Sequence, residues 1–228
     1  MTQSETIVMS VGGSMVVPDD ISTTFLAALQ DFIRSHVAQG MRFVIIVGGG
    51  KTARRYQNAA QGVAQVTPQD LDWLGIHSTR LNAHLLRTIF HDIAHSVILK
   101  DPTDIPATNM PLYIAAGYKP GNSTDYIAVR IAQTIGAKRV VNISNIDHVY
   151  DKDPRKYPDA TAFEALSWEA FRDLLPKEWD PGLSAPFDPV AAKAAHEAGM
   201  EVAVIHGDHL EEVSKYLAHE HFIGTKIA

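Results

Sequence analysis

Short runs of apolar residues alternate along the chain with longer segments whose apolar positions recur every three or four residues. The runs predict strands at 6–11, 42–47, 96–99, 112–115, 139–143, 201–205 and 222–227. The periodic segments predict helices at 21–37, from 67 through 89, at 123–135, at 167–175, from 189 and at 210–217. Such alternation predicts an α/β fold with a parallel or mostly parallel sheet covered by helices on both faces.

Glycine clusters directly follow the first two predicted strands. The first cluster is 12–14, and the second is 48–50, followed by Lys51 and Arg54. Adjacent glycines let the backbone approach a ligand closely, and a following helix adds amides suited to a phosphate. Tight turns needed only for packing are the alternative. Neither cluster has the spacing of a Walker A loop or of a dinucleotide fingerprint. Because ligands bind beyond the carboxyl ends of parallel strands, these clusters predict a phosphate-binding edge.

A third cluster, at 119–125, contains Gly121 and opens the helix predicted at 123–135. Its Ser123, Thr124 and Asp125 combine two hydroxyls with a carboxylate. Hydroxyls and amides at a helix start can hold a phosphate, and a carboxylate there can orient a lysine or face a metal ion. Helix capping is the alternative, which explains the cap but not the glycine-rich approach.

Composition and charge exclude several classes of function. The 228 residues include no cysteine, which excludes disulfides, thiolate metal sites and cysteine nucleophiles. The net charge is −6 and no basic run is present, which argues against a polymeric nucleic acid partner. No apolar run is long enough to span a membrane, and the first residues lack the pattern of a signal peptide. These features predict a soluble, cytoplasmic protein.

Two other segments complete the pattern. His91 and His95 are spaced for one helix face, but the glutamate of a metalloprotease motif is missing, so exposed histidines are favoured over a metal site. The polar, proline-bearing stretch 147–160 predicts an exposed functional loop, and 176–186 predicts a linker.

Six segments together resemble one family. They are GGGKTAR (48–54), LDWLGIHSTRLNAHLL (71–86), PGNSTD (120–125), SNIDHVYDKDP (144–154), FDPVAAKAA (187–195) and the terminal Gly224-Thr225. Their order and spacing resemble the archaeal-type uridylate (UMP) kinases of the amino-acid-kinase superfamily, and the resemblance covers residues 6–227. It implies a three-layer αβα sandwich with a mostly parallel, eight-stranded sheet. It also implies one domain over 1–228, with an acceptor lobe to about 117 and an ATP lobe from about 118.

The resemblance implies transfer of the γ-phosphoryl group of ATP to UMP, with Mg²⁺, in a homo-oligomer that is a hexamer or a dimer. The residues it assigns to the acceptor are Gly49, Gly50, Arg54, Asp72, Gly75, Ile76 and Thr124. Of these, Arg54 would bind the acceptor phosphate and Asp72 its ribose. The residues it assigns to ATP are Gly12, Gly13, Ser14, Asn145, Asp147, Tyr150, Asp153 and Pro154. Asp125 would organise the reaction centre.

Two positions depart from the family pattern. Many members have a lysine two residues before the first glycine pair, where this chain has Ser10. Lys51 and Lys193 are the candidates for the missing positive charge, and Lys51 is the predicted catalytic lysine. His148 stands where the family loop has glycine, whose backbone freedom a histidine does not share.

Two alternatives to a UMP kinase remain. One is a kinase of the same fold with another acceptor. Against it, Lys51 and Arg54 replace the histidine of isopentenyl-phosphate enzymes, and Asp72 lies in a motif that carboxylate kinases lack. The other is a non-catalytic protein that binds or stores a nucleotide or an oxyanion such as molybdate. Ser10 and His148 keep this second alternative open.

Overall fold

Strands and helices alternate along residues 5–175 and 185–228, which are the residues described by this computed structural model. The strands are β1 (Thr6–Val11), β2 (Arg42–Val47), β3 (Leu112–Ala115), β4 (Arg139–Ser144), β5 (Val149–Tyr150), β6 (Ala162–Phe163), β7 (Ala165–Leu166), β8 (Glu201–His206) and β9 (Thr225–Ile227). The helices are α1 (Gly13–Val16), α2 (Thr23–Ala38), α3 (Gly50–Val63), α4 (Pro68–Ile89), α5 (Thr124–Ile135), α6 (Trp168–Leu174), α7 (Pro189–Glu197) and α8 (Leu210–Leu217).

The main sheet is mostly parallel, as the alternation predicts. Within the described residues it has seven strands in the order β3-β2-β1-β4-β8-β9-β7, where the family resemblance implied eight. The strands from β3 to β8 are parallel, and β9 runs antiparallel to β8. Strands β5 and β6 form a separate antiparallel hairpin. The fold is therefore α/β with helices on both faces of the main sheet.

Alternate residues of β1 face two different apolar cores. Ile7, Met9 and Val11 pack in a core with α2, α4 and α8, whereas Val8 packs in a core with α5, α6 and α7. Both cores consist of buried apolar side chains, which is why β1 and β2 are apolar on both faces. Ser10 lies on the α5 face of β1, buried to 1% exposure. A polar side chain at this depth needs a hydrogen-bond partner, and its partner is described below.

Helix boundaries follow the capping residues. Ser22 caps α2, so the predicted start at Ile21 is wrong and Ile21 is exposed. Thr67 and Asp70 form a capping box at the start of α4, with Pro68 in the first turn. Leu81 on α4 is 63% exposed.

The predicted strand at 96–99 is wrong. Only isolated bridges join this region to β3, through Ala94 and Leu99, and Val97 between them is exposed. Most of the predicted linker 176–186 lies outside the described residues. No helix in the described ranges is long and apolar enough to cross a membrane.

Candidate active site

Two cavities open at the carboxyl ends of the parallel strands. The chain passes from β1 to β2 and β3 on one side and returns to β4 on the other, so β1 and β4 flank the point where the strand order reverses. In open α/β sheets this point is the usual place for a ligand. The first cavity measures about 340 Å³. The predicted residues that line it are Gly13, Ser14, Gly49, Gly50, Arg54, Asp72, Gly75, Ile76, Thr124 and Asp125.

The two glycine loops pack directly on each other. A Cβ added to Gly13 would lie 2.1 Å from the Gly50 nitrogen, and one added to Gly50 would lie 2.3 Å from the Gly13 carbonyl oxygen. Gly50 also has a left-handed backbone, with φ of 62°. The two explanations of the glycine clusters therefore both hold. The loops need glycine because they pack against each other, and both loops also line the cavity.

Gly12 contributes differently from its prediction. Its amide donates to the Ile143 carbonyl at 2.8 Å, which extends the pairing of β1 with β4. This amide is therefore not free for a phosphate in this structure, and Gly12 does not line either of the two cavities.

The start of α3 supplies amides and one cation to the first cavity. The Gly50 amide lies in the first turn, where no intrahelical acceptor exists, and Gly50 lines the cavity, whereas the Lys51 amide donates to the Val17 carbonyl at 3.0 Å. Arg54 follows one turn later and lines the cavity. Free amides, the positive helix end and a guanidinium together suit an anion.

Lys51 lies outside both cavities. Its ammonium group pairs with Asp19, in the turn between α1 and α2, and it does not line either cavity. The structure therefore does not bring Lys51 together with Asp125. The other candidate, Lys193, is exposed and lies 3.8 Å from Glu197 on α7. Among the described residues that line the first cavity, Arg54 is the one cation.

Helix α4 forms one wall of the first cavity. Asp72, Gly75, Ile76 and Thr79 recur at helical spacing and line it. Asp72 accepts a hydrogen bond from the Gly121 amide at 2.8 Å. Thr79, which the sequence analysis missed, accepts one from the Gly117 amide at 2.8 Å and donates to the Ile76 carbonyl at 2.7 Å. These bonds hold the loop between β3 and α5 against α4.

Asp125 lies at the start of α5, where Ser123 caps the helix. One carboxylate oxygen accepts from the Ser10 hydroxyl at 2.8 Å and the other from the Asp188 amide at 3.2 Å. Burial raises the pKa of Asp125 to about 6; the Ser10 hydrogen bond lowers this pKa, and the nearby Asp188 charge raises it. The Ser10 hydroxyl thus has its hydrogen-bond partner in Asp125. Where the family pattern predicts a lysine, Ser10 places a neutral donor beside this carboxylate.

Asp188 lines the first cavity, although the sequence analysis gave it no role. It caps α7 by accepting from the Ala191 amide at 2.8 Å, with Pro189 next in the chain. Burial raises the pKa of Asp188 as well. An aspartate followed by proline at a helix start was the signal available in the sequence, but it indicates a cap and not a site.

The second cavity lies beside the β5–β6 hairpin and measures about 410 Å³. The predicted residues that line it are Asn145, Tyr150, Asp153 and Pro154, whereas Asp147 does not line it. Lys152, Arg155 and Lys156 add positive charge to its wall. Ala185 lines both cavities. The two cavities are therefore neighbours across one segment of chain.

His148 does not distort the loop at the second cavity. Among the described residues, His219 is the one non-glycine residue with a positive φ, so His148 keeps an ordinary backbone. Its ring meets the Tyr150 ring edge-on, with 6.3 Å between centroids. The expected conflict between a histidine and a glycine conformation is therefore absent.

A family model for the amino acid kinase family matches residues 5–206. That range includes both glycine loops, α4, Asp125 and Asp188. The chain belongs to the amino acid kinase family.

Related proteins match this chain over almost all of its length. A uridylate kinase of Methanocaldococcus jannaschii is 34% identical over 218 residues, which are 92% of this chain and 95% of the relative. A uridylate kinase of Haloarcula marismortui is 33% identical over 226 residues, 97% of each chain. The sequence of this chain is thus similar to archaeal uridylate kinases over more than nine-tenths of its length.

Solved structures show the same relation. The crystal structure of uridylate kinase from Archaeoglobus fulgidus is 30% identical, has a TM-score of 0.81, and matches 97% of this chain and 99% of its own. The UMP kinase of Bacillus anthracis shares the fold at 19% identity, with a TM-score of 0.80 over 98% of this chain and 95% of its own. The amino-acid-kinase fold predicted from the sequence motifs is confirmed.

Proposed function

We propose that this chain is a UMP kinase, which transfers the γ-phosphoryl group of ATP to UMP and gives UDP and ADP. The observation that carries the proposal is the pair of neighbouring cavities at the strand-order reversal. One has free helix amides beside Arg54, and the other has an aromatic residue and three cations in its wall. The similarity to uridylate kinases over more than nine-tenths of the chain supports UMP over the other acceptors considered.

The first cavity would hold the acceptor. Arg54 and the amides at the start of α3 would bind the UMP phosphate, and Asp72 would accept a hydrogen bond from the ribose. Gly75 and Ile76 offer a side-chain-poor, apolar surface of α4 to the rest of the nucleoside. Thr124 stands at the opposite wall, at the start of α5. Asp72 is already fixed by the Gly121 amide, so its carboxylate is oriented before the ligand arrives.

The second cavity would hold ATP. Tyr150 and Asn145 would contact the base or ribose, with Asp153 and Pro154 completing the loop, and Gly13 and Ser14 would meet the phosphates near the shared wall at Ala185. Phosphoryl transfer is in line and needs no covalent enzyme intermediate, so positioning and charge neutralisation carry the rate. Asp125, held by Ser10 and Asp188, would organise the groups at the junction of the two nucleotides.

Mg²⁺ would enter as the ATP complex, where it neutralises charge on the β- and γ-phosphates. The residues that line the two cavities have the chemistry that Mg²⁺ needs in its ligands. Their side chains include carboxylate and hydroxyl oxygens, which Mg²⁺ prefers, and none of the described lining residues is a histidine. The cytoplasmic location and the homo-oligomeric state, hexamer or dimer, stay predictions, as does the division into lobes near residue 117.

The test is a UDP-forming assay with ATP, Mg²⁺ and UMP, CMP or AMP as acceptor. We expect UMP to be the preferred acceptor, activity to be lost in excess chelator and restored by Mg²⁺, and Asp125→Asn to lower kcat roughly 100-fold or more. UMP and ATP binding without turnover would support the binding-protein alternative. Faster turnover of another acceptor would reassign the substrate, and wild-type activity in Asp125→Asn would reject the role of that carboxylate.

A further inference from the structure

A buried asparagine holds the second glycine loop from behind. Asn82 lies on α4 and is 4% exposed. Its side-chain amide donates to the Gly48 carbonyl at 2.8 Å and to the Gly49 carbonyl at 3.3 Å. A primary amide has two N–H groups, so one side chain can serve two carbonyls. Asn82 does not line the first cavity, although both of its partners do.

Because Asn82 holds these two carbonyls, it also fixes the direction of two backbone amides. A trans peptide is planar, and its C=O and N–H point in opposite directions. The Gly48 carbonyl therefore fixes the direction of the Gly49 amide, and the Gly49 carbonyl fixes that of Gly50. Both amide nitrogens lie beside Gly13, since a Cβ on Gly13 would lie 2.7 Å from the first and 2.1 Å from the second, and all three glycines line the first cavity.

Glycine peptides need such a restraint more than others. Gly49 has φ of −78° and Gly50 has φ of 62°, so consecutive residues lie in opposite halves of backbone space. Without side chains the chain can rotate these peptides at small cost, and an amide that turns away no longer binds an anion. The buried Asn82 amide restrains both peptides, because rotation of either peptide would break these hydrogen bonds. The Ala53 amide also donates to the Gly49 carbonyl, at 3.3 Å.

We propose that Asn82 is a positioning residue that holds the Gly49 and Gly50 amides in the direction that binds the acceptor phosphate. The inference rests on the proposed function, because it takes the ligand of these amides to be the phosphate of UMP. It adds that α4 presents the nucleoside-binding residues and also orients the phosphate-binding loop, so one helix sets both halves of the acceptor site.

The test compares binding of UMP with binding of uridine by calorimetry, in wild type and in Asn82→Ala. The two ligands differ only in the phosphate, so the ratio of their affinities isolates what the amides contribute. We expect Asn82→Ala to lower this ratio about tenfold, because charge-assisted hydrogen bonds are lost, while uridine affinity changes less than about twofold. Asn82→Ser, which keeps one donor, is expected to give an intermediate ratio.

Ser78→Ala is the matched control. Ser78 is buried on the same helix, one turn earlier, and a Cβ added to Gly49 would lie 3.4 Å from its Cβ, but its hydroxyl donates to the Leu74 carbonyl at 2.8 Å and not to the glycine loop. It should lose a similar amount of stability and keep the wild-type ratio. An unchanged ratio in folded Asn82→Ala, or an equal fall in Ser78→Ala, overturns the inference. If Asn82→Ala does not fold, a wild-type ratio in Asn82→Ser overturns it.

Failure of the proposed function looks different. Wild type that binds UMP and uridine equally, or binds neither, would show that the first cavity is not a nucleoside monophosphate site and would overturn both proposals. Wild type that prefers UMP, combined with an Asn82→Ala variant that keeps the same preference, would overturn only the role of Asn82.

Discussion

Asp125 shows how one buried environment sets the chemistry of a side chain. Its hydrogen-bond partners are the Ser10 hydroxyl, a neutral donor, and the backbone amide of Asp188, whose side chain is a second carboxylate. Burial raises its pKa to about 6 from an ordinary value of 3.8, so Asp125 changes charge near neutral pH, where an exposed aspartate stays ionised. If the reaction needs the carboxylate, activity will fall as the pH drops through that range.

The first prediction concerns this acid limb. We expect the kcat of wild type to fall below about pH 6, where Asp125 becomes protonated. Ser10→Ala removes the hydrogen bond that lowers the pKa, so the midpoint should move to higher pH. The measurement is kcat against pH at saturating substrates for both proteins. A midpoint that does not move, or that moves to lower pH, would contradict the coupling between Ser10 and Asp125.

The same shift has a consequence for stability. Because the folded-state pKa of Asp125 is raised, the folded state binds more protons than the unfolded state between about pH 4 and pH 6. Ionisation of Asp125 therefore lowers the free energy of unfolding as the pH rises through that window, by roughly 3 kcal/mol at most. A buried carboxylate with a strongly raised pKa that lines a cavity is typical of functional positions.

The second prediction separates two adjacent arginines. Arg54 lines the first cavity, whereas Arg55 is exposed and lies 4.0 Å from Asp20. Arg54→Ala should raise the KM for UMP by about 10- to 100-fold, because a charge-assisted contact with the phosphate is lost. Arg55→Ala is the control and should leave this KM within a factor of two. The KM for UMP is measured by steady-state kinetics with varied UMP concentration. Equal effects in the two variants would contradict the assignment of Arg54 to the acceptor site.

At the scale of elements, local patterns predicted most of the fold. The apolar runs gave β1, β2, β4 and β8 within a residue or so, and capping residues located the starts of α4 and α5. These features are encoded in neighbouring residues. The strand expected at 96–99 was wrong because its pairing depends on where β3 lies, which no short pattern specifies.

The candidate site was predictable only in part, for the same reason. The glycine clusters and Asp125 stood out as local motifs. Asn82, Thr79 and Asp188 did not, because their partners are distant in sequence: 34, 38 and 63 residues separate them from Gly48, Gly117 and Asp125. Lys51 was predicted from its place directly after the glycine cluster, whereas its ammonium group pairs with Asp19, 32 residues away, and does not line either cavity.

The third prediction tests the packing of the two glycine loops. Gly13→Ala would place a Cβ 2.1 Å from the Gly50 nitrogen, so the backbone of one loop must move. We expect a loss of about 2 kcal/mol or more in the free energy of unfolding. Gly62→Ala is the matched control, because Gly62 lies in α3 with open space around its Cα.

Gly62→Ala should instead stabilise the protein by about 0.5–1 kcal/mol, since alanine is the better helix former. Urea unfolding of both variants and of wild type gives the comparison. Equal stability of Gly13→Ala and wild type would mean that the contact between the loops is not as close as the structure describes.

At the scale of the whole molecule, the first cavity joins the two halves of the chain. The glycine loops and α4 come from the half before residue 117, and α5, Ala185 and Asp188 come from the half after it. Ala185 also lines the second cavity. A ligand in the first cavity therefore contacts both halves, and a ligand in the second cavity lies against the segment that completes the first. Binding at either place should stabilise the folded protein as a unit.

The fourth prediction follows from this arrangement. UMP alone and a non-hydrolysable ATP analogue with Mg²⁺ alone should each raise the melting temperature, because each binds only the folded state; at 100 times its Kd a ligand adds about 2.7 kcal/mol. Since the cavities are separate, the two ligands together should raise it further than either one. Thermal unfolding with each ligand and with both measures this directly. If the second ligand adds nothing at saturation of the first, the two compete for one cavity, and the assignment of acceptor and donor to different cavities is wrong.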